Sequence, residues 1–90
     1  MAWFQVAYGP DVVADLKKIE PGTAQRLLDK TKWLASNAGN LRHEPLAPDL
    51  AGLSKYAVGD WRILYSIDKD ERLVAVHWIA HRRDLYQTQT

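Results

Sequence analysis

The chain has no cysteine. Neither a disulfide framework nor a thiolate metal site is therefore available to hold it together. No stretch approaches the ~18 apolar residues of a membrane span. The opening residues, MAWFQVAY, lack a basic segment followed by a long apolar core, so no secretory signal is expected. A cytoplasmic location is the resulting expectation. No Gly-rich loop of the P-loop or dinucleotide type is present. No His/Asp/Glu cluster has the ligand spacing of a zinc site. His77 and His81 are four apart on a reading as strand, which separates them by roughly 13 Å at ~3.3 Å per residue, too far for one metal. Ser54 and Ser66 have no nucleophile signature around them. An enzyme built on this chain is expected to work without metal, cofactor or covalent intermediate. An excess of either charge is lacking too: 12 Lys and Arg stand against 11 Asp and Glu, for a formal net charge of +1. That value neither demands nor excludes a nucleic-acid partner, because local clustering matters more than the total.

What is there is enough for one folded unit. Ninety residues, 47% hydrophobic and 26% charged, describe a single globular domain over 1–90 rather than a disordered chain. Residues 3–8, WFQVAY, alternate as a strand does. Gly9-Pro10 breaks that strand, and Asp11 is a fitting N-cap for a helix carrying Val12, Val13, Leu16 and Ile19 on one side. Pro21-Gly22 reads as a tight connection, with Thr23 capping a second helix whose stripe is Ala24, Leu27, Leu28, Thr31, Leu34 and Ala35. Asn37 to Asn40 end it, and the two helices form an antiparallel hairpin. Residues 41–52 hold two prolines and no clear period, and read as a loop. Three short strands follow: LSKYAV, then WRILYSI after a Gly59-Asp60 turn, then RLVAVHWIA after a polar hairpin loop at 68–71. The expected class is α+β in the order β-α-α-β-β-β. The helices cover one face of an antiparallel meander and leave the other at least partly open.

The chemistry gathers toward that open face. Arg62 is the only charge inside WRILYSI, and its parity sets it against Ile63, Tyr65 and Ile67. Lys55 lies on the neighbouring strand. His81, Arg82, Arg83 and Tyr86 follow the last strand in the run HRRDLY. A central strand adjacent to both brings these groups together. Such a cluster suits a phosphodiester, since guanidinium donors match phosphate oxygens and aromatic rings stack on bases. Trp78 shares the parity of Arg82 and adds a stacking surface. Each residue also has a plainer reading. Arg62 can serve as a surface partner of Asp60 or Asp84, and Lys55 as a charge that guards a strand edge. His77, with the parity of Ile79, reads as a packed residue, and Trp78 as one covered by the C-terminal tail. Trp33, beside Lys30 and Lys32, either covers the helix edge or meets a partner.

The ordered set of motifs resembles the RelE/ParE superfamily of toxins from bacterial toxin–antitoxin pairs. The strand and helical hairpin span 3–38. Leu50-Ala51-Gly52 resembles the family's "L-x-G". K-Y-A-V-G-D-W-R-I-L-Y-S-I-D at 55–68 resembles its basic strand, its "V-G-D-Y-R" turn and the strand after it. A-H-R-R-D-L-Y at 80–86 resembles its closing pattern. The resemblance implies a RelE-like fold and a ribosome-dependent, metal-independent endoribonuclease that cuts mRNA in the ribosomal A site. It also implies a cognate antitoxin as partner, in a hetero-oligomer. By position, it implies phosphate and transition-state roles for Arg62 and Arg82. Tyr86 matches the tyrosine that stacks on or orients the nucleotide, and Lys55 the first basic residue of its strand. Lys55, Arg83 and Trp78 are the expected RNA contacts. Ala57 departs from the pattern where the family carries a second basic residue used in proton transfer. With Ala57 unable to serve, His81 becomes the proton-transfer candidate, an imidazole being suited to exchange near neutral pH. The ParE branch, which shares the fold but poisons DNA gyrase, and a degenerate toxin that only binds its antitoxin are the rival expectations.

Overall fold

The computed structural model describes residues 3–49 and 52–87. The elements run β1 (Gln5–Tyr8), α1 (Pro10–Lys18), α2 (Pro21–Asn37), β2 (Glu44–Pro45), β3 (Ser54–Val58), β4 (Trp61–Asp68), β5 (Leu73–His81) and α3 (Arg82–Gln87). The expected α+β order is present. Two short elements extend it: the two-residue β2 inside the segment read as loop, and α3, which turns HRRDLY into a helix directly after the strand. The strands form a single sheet in the order β1-β5-β4-β3-β2. The meander β3-β4-β5 is antiparallel, whereas β1 pairs with β5 in parallel. The first strand thus lies against the last, and β4 runs through the middle.

Both long helices begin on proline, not after it. Pro10 and Pro21 each take a first helical position, where the missing N–H was never going to be bonded. The caps consequently shift from the residues the sequence suggested. Gly9, not Asp11, is the N-cap of α1, and Asp11 sits in the first turn where the helix dipole favours an anion. Glu20, not Thr23, caps α2. Its carboxylate accepts from the Gly22 and Thr23 amides at 2.9 Å each and from the Thr23 hydroxyl at 3.0 Å. Those bonds, led by the Gly22 amide, pull its pKa below the ordinary glutamate value.

One face of the sheet is packed against the helical hairpin. Val12 of α1 and Leu27, Leu34, Ala35 and Ala38 at α2 meet Ile63, Tyr65, Val74, Val76 and Ile79, all buried. Burying side chains of this size contributes about 1.5–3 kcal/mol each. Thr31 is buried on the same stripe and fully bonded: its hydroxyl donates to the Leu28 carbonyl at 2.6 Å and accepts from the Tyr8 hydroxyl at 2.6 Å. No buried side-chain nitrogen or oxygen among the described residues lacks a partner. Trp33 lies at the helix edge, 39% exposed. Its ring meets Tyr56 of β3 with centroids 5.8 Å apart, and the Lys30 ammonium lies 4.3 Å above it.

The β3–β4 hairpin turns through Gly59 and Asp60. Gly59 has φ +59 while Asp60 stays at negative φ, the pattern of a type II′ turn whose twist suits the flanking strands. A Cβ on Gly59 would meet nothing within 4 Å, so the demand for glycine is conformational alone. Gly59→Ala is expected to lower the unfolding free energy in urea by about 1–2 kcal/mol without altering the m-value. A variant as stable as the parent would show that the turn does not need the left-handed residue.

Candidate functional site

Cross-strand register decides which side chains share a face. Lys55 lies opposite Leu64, Ala57 opposite Arg62, Arg62 opposite Ala80, Leu64 opposite Trp78 and Ser66 opposite Ala75. These residues line the face away from the helical hairpin. Lys55, Arg62 and Trp78 are therefore brought to one face, as the alternation of WRILYSI implied.

The hairpin turn ties the two candidate phosphate ligands together. Arg62 folds back so that its Nη1 donates to the Gly59 carbonyl at 3.0 Å and to the Trp61 carbonyl at 2.9 Å. Both Nη1 hydrogens are thereby used. The hydrogens on Nη2 and Nε have no partner among the described residues. Arg82 reaches the same turn from β5: its amide donates to the Asp60 carbonyl at 2.7 Å, and its Nε lies 3.5 Å from the Asp60 carboxylate. Of the two arginines, it is Arg82 and not Arg62 that pairs with Asp60. Both partners of that ion pair are more than half exposed, so it contributes at most about 1 kcal/mol. Lys55 is paired with Glu44, directly across from it on β2, at 3.3 Å. Arg83 is exposed on α3. Tyr86 lies in α3, and its side chain falls outside the described residues, as do Leu50 and Ala51 of the L-x-G motif.

His81 is not brought to the Arg62 face. It lies opposite Trp61, and their rings meet edge to face with centroids 5.2 Å apart. Trp61 packs against the core cluster on the helical side. The imidazole Nδ1 accepts from the Arg83 amide at 3.2 Å, so His81 anchors the first turn of α3. Strand alternation explains the split: His81 and Arg82 are neighbours in sequence and diverge in space.

His77 does the reverse. The β4–β5 register slips between Leu64 and Tyr65, which pair with Trp78 and Val76, leaving His77 as an extra residue in β5. A bulge of this kind re-aims a side chain. The imidazole Nε2 lies 2.8 Å from the Ser66 hydroxyl on the open face, and its ring is 5.7 Å from that of Trp78. The reading of His77 as a packed residue is thus corrected, and Ser66, set aside for want of a nucleophile signature, is its partner. The signal was in the sequence: the core positions Val74, Val76 and Ile79 step by two and then by three, one residue too many for a regular strand. Trp78 is 45% exposed, whereas Leu64 beside it is only 5% exposed. A cleft of about 550 Å³ runs between β5, the end of α1 and α3, with Leu64, Trp78 and Leu85 among its walls. No group of three metal-ligating side chains occurs among the described residues.

This strand, helical hairpin and meander, with a G-D-W-R turn and a closing H-R-R, can be set against known proteins. Residues 6–86 match the profile of the ParE toxin of the type II toxin–antitoxin system, parDE. The chain belongs to this toxin family. Among solved structures, it is similar to the RelBE2 toxin–antitoxin complex of Mycobacterium tuberculosis, with 25% identity and a TM-score of 0.79 over 91% of this chain and 94% of that one. The free state of a mutant E. coli toxin RelE aligns with 13% identity and a TM-score of 0.72 over 97% and 93% of the two chains. The archaeal RelE–RelB complex from Pyrococcus horikoshii OT3 gives 18%, 0.69, 91% and 97%. No curated protein sequence matches. The chain is thus a RelE/ParE superfamily toxin of a type II toxin–antitoxin system, with the RelE-like fold.

One further histidine stabilises the toxin from the other side. His43, in the segment read as loop, bonds the Ala38 carbonyl through Nε2 at 2.9 Å and the Tyr65 hydroxyl through Nδ1 at 2.6 Å. Since a carbonyl only accepts, Nε2 carries the proton and the Tyr65 hydroxyl donates to Nδ1. The end of α2 is thereby fastened to the central strand. Burial, and secondarily the nearby Tyr56, pushes the Tyr65 phenol up to about 12 from its ordinary 10. Its folded value lies above its unfolded one, so its contribution to stability is complete below pH 10 and is lost as pH rises from 10 through 12. Thermal unfolding followed over that range should show the loss in the parent and a flatter profile in Tyr65→Phe. Parallel profiles would contradict the assignment.

Proposed function

We propose that this toxin is a metal-independent endoribonuclease that cuts mRNA on the ribosome and is held inactive by a cognate antitoxin. The observation that supports this reading most directly is the convergence of Arg62 and Arg82 on the Gly59–Asp60 turn. Arg62 is anchored there by Nη1 alone and keeps its Nη2 and Nε donors for a ligand. The Arg82 backbone is bonded to the turn, but its guanidinium is tied there only by an exposed pair that a phosphate can displace.

RNA carries its own nucleophile, so no metal-bound water is required. The 2′-oxygen attacks the adjacent phosphorus, the P–O2′ bond forms and the P–O5′ bond breaks. The products are a 2′,3′-cyclic phosphate and a 5′-hydroxyl. One proton leaves the 2′-hydroxyl and one reaches the departing 5′-oxygen. Charge that grows on the non-bridging oxygens is met by the two guanidiniums, aimed in advance. Lys55, Arg83 and Trp78 extend the contact along the RNA, and Tyr86 stacks on or orients the nucleotide. For His81 a positioning role now fits better than proton transfer, because its ring faces the helical hairpin and holds the start of α3. The antitoxin proposal rests on the family and on similarity to toxins solved within toxin–antitoxin complexes.

A second reading has its own support. The sequence profile that matches is that of ParE, and Ala57 stands opposite Arg62 where a second basic residue would strengthen a phosphate site. Inhibition of DNA gyrase is therefore the alternative. Cleavage of mRNA on programmed ribosomes, run beside a gyrase supercoiling assay, decides between them. Arg62→Ala and Arg82→Ala should each slow cleavage about 10²–10³-fold while leaving the fold intact. Growth arrest with intact mRNA and inhibited supercoiling would overturn the ribonuclease reading.

A further inference from the structure

The open face holds a built polar pair that the proposed phosphate chemistry does not use. Arg62, Leu64 and Ser66 stand in a row along β4, with Ala80, Trp78 and Ala75 as their partners on β5. Ser66 is four residues from Arg62, roughly 13 Å along the strand at ~3.3 Å per residue. That is beyond the reach of the phosphate held by Arg62 and within reach of a neighbouring nucleotide. Only the bulge delivers His77 to this spot. In a regular strand the residue between Val76 and Trp78 would not stand on the same side as Trp78.

We infer that Ser66 and His77, beside the exposed ring of Trp78, form a nucleobase-recognition subsite for an unpaired RNA base next to the cleaved phosphate. The inference rests on the ribonuclease reading for its ligand. Trp78 supplies the stacking face, since every base has a π-face to lay on it. The pair supplies discrimination. If the Ser66 hydroxyl donates to Nε2, then Nδ1–H is a free donor and the Ser66 oxygen a free acceptor. If Nε2–H donates instead, then Nδ1 is the acceptor and the hydroxyl the donor. Both arrangements leave one free donor and one free acceptor, at opposite ends of the pair, for the polar groups of a base and of the nucleotide beside it. His77 Nδ1 has no partner among the described residues, so this capacity is not taken up within the chain.

The test uses the purified toxin and unstructured RNA oligonucleotides of a single base type, about eight nucleotides long. Binding is followed by NMR shifts of the Trp78 indole N–H and the His77 ring, and cleavage is mapped separately on ribosomes. The parent protein is expected to discriminate at least about tenfold between its best and worst base. His77→Phe and Ser66→Ala should compress that range to about twofold while binding with the same salt dependence. Trp78→Ala should weaken all four alike. A parent that does not discriminate, or a His77→Phe protein that discriminates as the parent does, overturns the subsite whether or not mRNA is cut. Base-dependent shifts at Trp78 and His77 that are lost in the variants uphold the subsite. If the same toxin leaves ribosome-bound mRNA intact, only the ribonuclease reading falls.

Discussion

The position of every side chain on the open face depends on the two-residue turn at Gly59 and Asp60. A turn of this length leaves one register for β3 against β4, and a slip of one residue would exchange the faces of β4 completely. Ile63 and Tyr65 would then point at solvent and Arg62 at the core, where an unpaired guanidinium is prohibitively expensive. The cost of that exchange makes the register strongly specified. The same turn also offers the carbonyls of Gly59 and Asp60 and the carboxylate of Asp60 as anchors. A structural device for reversing the chain is therefore also the device that gathers two cations.

Those cations are restrained to different degrees. Arg62 is held by neutral carbonyls of its own hairpin, which fix its direction without cancelling its charge. Arg82 and Lys55 each face an exposed carboxylate, Asp60 and Glu44, at the edges of the site. The Arg82–Asp60 pair, exposed on both sides, is weak and screened by salt, so a polyanion competes with it readily; the Lys55 side chain is the more buried of the two cations. The resting face carries the uncancelled charge of Arg62 and becomes more basic as these carboxylates are displaced.

Much of the fold was legible because its signals are local. Alternation in WFQVAY and WRILYSI, the apolar stripe of α2 and the Gly59-Asp60 turn each announce one element, and the elements are where those signals lie. The face assignments of Arg62 and Trp78 followed from parity, and that of Lys55 from its place on the neighbouring strand of the hairpin. Features that escaped depend on where a helix starts, on a bulge or on contacts across the chain. The cap of α2 fell to Glu20 because Pro21 takes the first helical position, which moves the cap three residues ahead of Thr23. His81 was read with its sequence neighbours, although strand alternation turns it to the Trp61 side. His77 was misplaced by the bulge, whose only trace is the three-residue step from Val76 to Ile79. His43 had no local pattern at all. Its role is set by Tyr65, which is distant in sequence, and by the carbonyl of Ala38 at the end of α2.

The parallel pairing of β1 with β5 joins strands from opposite ends of the element order. Contacts of such long sequence separation form late, after the entropy of closing the intervening chain has been met. During synthesis β1 emerges first and has no neighbour in the sheet until β5 follows. Until then β4 lacks one of its two flanking strands, and Arg82, the first residue after β5, does not yet exist to meet the turn. The nascent chain therefore carries an incomplete sheet and half a site until β5 has been made. The finished face comes into being only when the last strand is free to slide between the first and the fourth.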